Sequence, residues 1–408
     1  MTLLHPERAK RVEGLLVLTM LLLLPALAHA GGSALGEQSA SAAGQGGTGA
    51  ARAGDVSAAW YNPAALADGD GWRSGAGMLA IAPTIEARAT DGSWRARTQP
   101  AFKTPPHAYL SWARRDLAAG LSVNVPFGSG MSWPSAWEGR YEVVDSSLQV
   151  IRAQPFAAYR FGTVRIAAGP HVDVATLRVH RKLDMVDTDG DVDLHFAGYG
   201  VGAHAAIFVD VSPSFSAGFV AKSRTTLAMR GNADFRTPDE FDVKAHDQRA
   251  RTELTVPDLF SAGVSWRPGS RWTLAADAGV ATWEVWDEIV VDFEDPQTTD
   301  AVSRPQWKTT AWLRAGAERS VGAKAKARAG IVIDPSPAPA RTLAPNAPDA
   351  DRFGVTAGLG LAVRDGMSVD AFYEYLTLAR RTTARDDSLA ASYGGHAHFA
   401  GIGVRWQR

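Results

Sequence analysis

The chain has 408 residues, a formal net charge of −1, no cysteine, 40 glycines and 13 tryptophans. With 21% charged residues and a mean hydropathy of −0.12 it averages like a water-soluble protein, which excludes a bundle of transmembrane helices. The absence of cysteine removes disulfides, thiolate metal sites and cysteine nucleophiles together, and the near-zero charge leaves no basic footprint for nucleic acid.

At the N-terminus, Arg8, Lys10 and Arg11 precede the apolar run Leu15–Leu24. Ala28-His29-Ala30 then supplies small residues at the two cleavage positions. This pattern predicts a Sec-type signal peptide over 1–30, because the run is short of the roughly 20 residues a spanning helix needs. From Gly31 to about Gly71, Gly, Ala and Ser dominate, and the segment ends at the turn-favouring Asn62-Pro63-Ala64. Such small residues pack tightly only when something else encloses them.

After Trp72 the pattern becomes alternation with period two. In Phe353–Arg364, Phe353, Val355, Leu359, Leu361 and Val363 share one face. In Val164–Asp173, Val164, Ile166 and Val172 alternate with Arg165, His171 and Asp173. This is the signature of strands that are apolar on one side only. Fourteen such segments run from 72–89 to 394–406. Short turns such as Arg267-Pro268-Gly269-Ser270 alternate with long polar loops such as 128–144 and 335–351. An even number of strands with short turns at one end and long loops at the other predicts an all-β fold, a fourteen-stranded antiparallel transmembrane β-barrel. Trp266, Trp272, Trp112 and Trp406 near short turns, and Trp283, Trp286 and Trp307 around a long loop, are expected in the two interfacial girdles.

Three patterns invite a chemical reading. Gly44–Gly49 fits G-x-G-x-x-G, but a signal peptide and a Ser/Ala stretch precede it where a dinucleotide site needs a strand, so flexible packing glycines are the better account. Asp184, Asp187, Asp189, Asp191 and Asp193 surround Gly190, but Gly198 stands where a calcium loop needs glutamate, so a solvated loop tip is expected. His396 and His398 share a face of the last strand without a third ligand and read as lumen-facing polar residues. No metal or cofactor is expected. No G-x-S-x-G elbow is present, and no enzymatic reaction is expected.

Several stretches resemble the FadL/TodX family of outer-membrane channels for long-chain fatty acids and other hydrophobic compounds. They are the Gly44–Gly49 and Asn62-Pro63-Ala64 region, Val125-Pro126-Phe127-Gly128, Trp133-Pro134 with Trp137 and Gly139-Arg140-Tyr141, Gln154–Tyr159, Val256–Gly263 and Asp334–Pro337. One departure is the chain end, Trp406-Gln407-Arg408, where family members commonly finish on an aromatic residue read by the barrel-assembly machinery. The resemblance implies an N-terminal hatch over 31–71 that plugs a barrel over 72–408, with Gly46, Gly47, Gly49, Asp55, Asn62 and Pro63 in the hatch. It implies a kink of the third strand at Asn124, Pro126, Phe127 and Gly128 as a sideways exit into the bilayer. Trp133, Trp137, Arg140 and Tyr141 are expected in an extracellular loop that captures substrate. The implied partners are hydrophobic small molecules such as long-chain fatty acids, outer-membrane lipid and lipopolysaccharide. The implied location is the outer membrane of a Gram-negative cell. A general porin, a lipid-modifying barrel enzyme and an adhesive barrel are the alternatives.

Overall fold

The computed structural model describes residues 32–185, 188–238, 246–385, 387 and 389–408. The leader expected over 1–30 lies outside them, as does Asp187. Two short helices, α1 (Ala40–Ala43) and α2 (Ala58–Tyr61), and a 3-10 turn (Pro63–Leu66) precede one sheet. Its strands are β1 (Gly71–Ala89), β2 (Arg95–Arg97), β3 (Pro106–Arg114), β4 (Leu117–Ser132), β5 (Asp145–Phe161), β6 (Val164–Asp184) and β7 (Asp189–Ser212). They continue as β8 (Phe215–Lys222), β9 (Thr225–Arg236), β10 (Gln248–Val256), β11 (Leu259–Trp266), β12 (Trp272–Ala281), β13 (Ile289–Phe293) and β14 (Ala301–Ser303). The last five are β15 (Thr310–Val321), β16 (Ala325–Asp334), β17 (Arg352–Arg364), β18 (Met367–Thr382) and β19 (Ala391–Gln407).

These strands make fourteen antiparallel crossings. β8 with β9, and β10 with β11, are halves of single crossings interrupted near the middle. β12 leads through a 3-10 turn into β13, which pairs beside β10. β2 and β14 are accessory strands at the long-loop end. β19 pairs along the whole of β1, from Arg73↔Gln407 to Ala89↔Ala391, and closes the barrel. The last residue continues the seam, since Arg408 N–H donates to Trp72 O at 2.9 Å. Closure pairs the first crossing with the last, so the backbone bonds of the crossings lie largely within the wall, as lipid demands.

The alternation reverses its sense along the long strands. On the short-turn half of β6 and β7, Val164, Ile166, Val201 and Ile207 face outward and are exposed, while Arg165, His171, Asp173 and His204 are buried inside. On the long-loop half Ala175, Leu177, Leu194 and Phe196 turn inward, and Thr176, Arg178 and His195 turn outward. The parity of the chain is unbroken; only the solvent on each side changes. Apolar residues meet lipid on the lower half. On the upper half they pack a core inside the mouth.

This inversion corrects two expectations. Trp72, Trp272 and Trp406 are exposed at the short-turn rim as girdle residues, but Trp283, Trp286 and Trp307 are buried in the interior core. His396 and His398 face outward, because Ala397 and Phe399 take the inner positions of β19. Tyr373 and Tyr375 lie beside them, and the Tyr373 hydroxyl and His398 Nδ1 are 2.7 Å apart. Among the described residues no helix is long and apolar enough to cross a membrane.

Candidate functional site

Residues 32–70 fill the lumen. Ser39 caps α1, accepting from the Ala42 N–H. The Gly44–Gly49 segment lies flush on the wall at β15–β17. A Cβ on Gly46, whose φ is +67°, would sit 2.6 Å from Ile331 O, and one on Gly330 would sit 2.3 Å from Gly46 N. Backbone therefore packs on backbone, with glycine on both sides, and no dinucleotide is needed to explain the motif. Gly49 and Ala50 N–H groups both donate to one Asp277 carboxylate oxygen, at 2.7 and 2.9 Å. The Asn62 side chain donates to Ala50 O and, across to the wall, to Ile207 O, while its Oδ1 accepts from Ala64 N. Pro63 opens the 3-10 turn that follows. Gly47 turns the chain at φ +75°, and Gly49 packs under the Tyr61 ring.

Asp55 ties the plug to the seam of the barrel. Its carboxylate accepts from Arg405 at 2.9 Å, from the Ser41 hydroxyl, and from Ser57 N–H at 2.9 Å. Burial alone would raise its pKa, but Arg405, Ser41, Arg52 and the Ser57 N–H together hold the carboxyl well below the usual range. Burial pushes the Tyr61 phenol up, and Tyr61 Oη is held between Gln38 N–H and Gly36 O.

The wall breaks at β4. Pairing with β3 ends at Val123, opposite Ala108. Pairing with β5 slips between Asn124 and Phe127, opposite Arg152 and Val150, which inserts one extra residue in β4. Pro126 has no N–H to give the ladder. The freed groups are taken by the start of the plug. Leu35 N–H donates to Pro126 O, Gly128 N–H donates to Ser33 O, both at 2.8 Å, and the Gln38 side chain donates to Val125 O at 2.9 Å. The buried Asn124 donates to Gln38 Oε1 and Tyr109 Oη. Residues 33–35 thus act as a short replacement strand on an open edge.

A second interruption crosses three neighbouring crossings, at Ser223-Arg224, Pro257-Asp258 and 282–288. Here the wall closes itself. The Asp258 carboxylate accepts from Arg224 N–H and Nε and from Thr282 Oγ1, all within 2.8–2.9 Å. The 3-10 turn drives Trp283 into the lumen, where its ring meets Phe127 edge-on at 6.0 Å and packs with Trp286 and Trp307. Gly32 lies against Trp283 and Trp307, where a Cβ would come within 2.9 Å of both rings. The plug's start therefore runs between the kink and an aromatic cluster.

Trp133 and Trp137 stand inside the loop core rather than on an exposed capture surface. They are 1% and 5% exposed and stack at 4.5 Å, with their indole N–H groups donating to Pro345 O and Val143 O. Arg140 and Tyr141 both hold Asp189, at 3.0 and 2.6 Å. Asp191 pairs with Lys182 and His180, and Asp193 with Arg236, so these carboxylates serve loop structure.

Above the plug lies a cavity of about 1700 Å³. Its lining is mixed: inward apolar residues such as Leu148, Leu194 and Phe399, the aromatic pair Trp286 and Trp307, and Tyr141 and Glu142 at the mouth. It reaches Gly128, Ser129 and Gly130 of the kinked strand and then Gln149 and Thr176, which are exposed on the outer wall. Besides Arg178 and Arg304, which border it from the outer side, its basic side chains are Lys103, Arg181, Arg341, Arg352 and Arg385 and its acidic ones Glu142, Asp300 and Asp349, a balance that makes the cavity attractive to anions.

Sequence reasoning missed Asp277, Gln38 and the Arg152–Asp173 pair. Arg152 and Asp173 are fully buried in the lumen, joined by two bonds of 2.7 Å. Charged residues at inward positions of lower strand halves were the available signal. Their partners lie across the sheet or in the plug, at separations that no local pattern encodes.

The family described as "Outer membrane protein transport protein (OMPP1/FadL/TodX)" matches residues 21–407. The chain belongs to this family. A candidate outer membrane protein of Neisseria meningitidis serogroup B is 24% identical over 452 residues, covering 94% of this chain and 97% of that one. The barrel superposes on a FadL homologue of Pseudomonas aeruginosa with a TM-score of 0.79 at 18% identity, covering 93% of this chain and 99% of the other. The toluene transporter TodX of Pseudomonas putida gives 0.75 at 14% identity, covering 94% and 99%. A general role in transport at the outer membrane follows at the family level.

Proposed function

We propose that this protein is a passive channel in the outer membrane of a Gram-negative cell and that it favours anionic amphiphiles of the long-chain fatty acid class over neutral aromatic hydrocarbons. The single observation that carries this reading is the large, net-basic, partly apolar cavity, bounded below by the plug and reaching the outer wall beside Gly128. An apolar tail is drawn from water into the apolar lining. Basic groups at the mouth such as Lys103, Arg181 and Arg341 hold a carboxylate.

In this reading residues 1–30 act as an export leader, 31–71 form the hatch and 72–408 the barrel. The hatch blocks straight passage to the periplasm. Residues 33–35 release the β4 edge, and the substrate leaves sideways between the β3 side and Gly128. Tyr141 contributes to the mouth of the capture site, and Trp133 and Trp137 support its shape from behind; Arg140 fixes the loop. Diffusion down the gradient supplies the drive, and no bond is made or broken.

The test is uptake by proteoliposomes of palmitate, the corresponding fatty alcohol and toluene, with small-ion conductance measured alongside. Palmitate should enter fastest, with low ion conductance. Equal uptake of alcohol and acid would overturn the anionic preference. High conductance by the intact protein would favour a general porin. Removing residues 32–55 should raise ion leakage; unchanged leakage and uptake would overturn the hatch reading.

A further inference from the structure

The outer wall above the lipid band carries charge on several crossings, and some of its cations are matched by carboxylates. Arg251 pairs with Asp292, Arg304 with Glu288 and Arg236 with Asp193. The face built by β18, β19, β1 and β2 differs. Arg88, Arg95, Arg97 and Arg380 lie together there, and among the described residues Glu86 is their one ion-pair partner. It is shared by Arg88 at 3.0 Å and Arg380 at 3.5 Å. The register fixes the grouping: Arg88 stands opposite Arg95 and Glu86 opposite Arg97, with Ser392 and Gly394 on the other flank. Arg380 reaches across to Ser392 O and Oγ, both at 3.3 Å. Arg95 and Arg97 are exposed.

The height of this group is set by the strand. The girdle residue Trp72 and Ala82 are ten residues apart on β1, about 25 Å of membrane at a tilt of roughly 40°. Ala82 pairs with His398, and Thr84 with His396, so the outward Tyr373, Tyr375, His396 and His398 mark the upper boundary of the lipid band. Glu86 and Arg88 follow two and four residues beyond Thr84. They stand in the headgroup layer of the outer leaflet, not in water beyond it.

We propose that Arg88, Arg95, Arg97 and Arg380 form a docking site for a phosphorylated glycolipid headgroup of the outer leaflet, the chemistry of lipopolysaccharide. Guanidinium forks bind phosphate oxygens in pairs, and a single carboxylate for four of them leaves a surplus of three positive charges. A phosphate at this height supplies the counter-charge that this cluster of four lacks. The tyrosine and histidine ring below offers the acyl-sugar boundary an amphipathic surface. This site lies on the outside of the wall and is separate from the lumen pathway.

The test is binding of diphosphorylated lipid A to the full-length folded protein in mild detergent, read by native mass spectrometry. The variants are Arg95→Gln with Arg97→Gln, Arg88→Gln with Arg380→Gln, and the matched-face control Arg251→Gln with Arg236→Gln. Each pair on the proposed site should weaken lipid A binding by on the order of tenfold, and the control pair should leave it unchanged. Dephosphorylated lipid A should bind the unaltered protein at least as weakly as diphosphorylated lipid A binds the variants, an arm that needs no mutation. Equal binding of the two lipids, or full binding by both site variants, would overturn the proposal. Displacement of lipid A by an equal concentration of inorganic phosphate would also overturn it, since the site would then hold a free anion.

Discussion

The barrel wall is interrupted in two places, and the two are closed by different means. At β4 the extra residue around Val125-Pro126 leaves an open edge, and the plug's residues 33–35 close it with two backbone bonds of 2.8 Å. Across the crossings that contain β8–β13, the wall closes itself, with Asp258 tying Arg224 to Thr282. The first closure depends on a segment that belongs to another part of the molecule. The second moves only if the wall unfolds. The interruption at β4 is the one the proposed function uses as an exit, and the other frames Trp283 on the opposite side.

The sharpest way to break this comparison is to free the plug. Asp55→Ala strips Arg405 of its plug partner, though Arg405 keeps Asp370 at 2.6 Å, and it also removes the acceptor of Ser41 and Ser57 N–H; bonds of this charged kind contribute about 1.5–3 kcal/mol each. It should raise ion conductance and protease sensitivity of the plug while the barrel stays folded. An intact, protease-resistant plug would mean that closure at β4 does not rest on this tie. Next in size, Asp258→Ala removes three hydrogen bonds and should lower barrel stability by about 1–3 kcal/mol. Thermal unfolding should show the drop, and plug protection should be unchanged.

Pro126→Ala with Gly128→Ala sharpens the comparison from the other side. Restoring a ladder donor biases the wall toward closure by about 1 kcal/mol. That should lower hydrophobic uptake by up to about tenfold at normal expression; full uptake would rule out exit at β4. Smaller still is the effect of mild acid. The Asp55 pKa is depressed in the fold, so its contribution is complete above the unfolded carboxyl value near 3.9 and is lost as pH falls through the depressed one. Conductance should therefore stay flat from about pH 8 to 5 and rise only in stronger acid. A step near pH 6 would point to a different group. Arg140→Ala, which removes a partly exposed pair with Asp189, should cost under about 1 kcal/mol. A large loss of uptake with unchanged stability would give Arg140 a role in capture.

The plug and the kink were legible as locations. A run of Gly, Ala and Ser cannot build its own core, and a proline in a strand removes a donor. Their joint geometry was not legible. Nothing local to Pro126 says that Leu35 N–H will meet its carbonyl. The loop tryptophans failed for the same reason: Trp133 and Trp137 looked like a capture surface because composition shows aromatic area without showing which side of a loop it covers.

What the sequence by itself determined is the wall: the number of crossings, their antiparallel order, the end with short turns and the glycine-rich plug. Period-two alternation and turn residues act between near neighbours, so a one-dimensional pattern is enough to state them. Only the tertiary structure decided which face of each strand half is the dry one. Above the lipid band the interior is packed and the exterior is wet, so the same parity that sends Ile402 outward into lipid sends His396 and His398 outward at the upper boundary of that band. It also decided that Trp283 belongs to the lumen and Trp272 to the girdle. Burial there depends on what stands across the barrel, and that distance is not written in any local stretch of the chain.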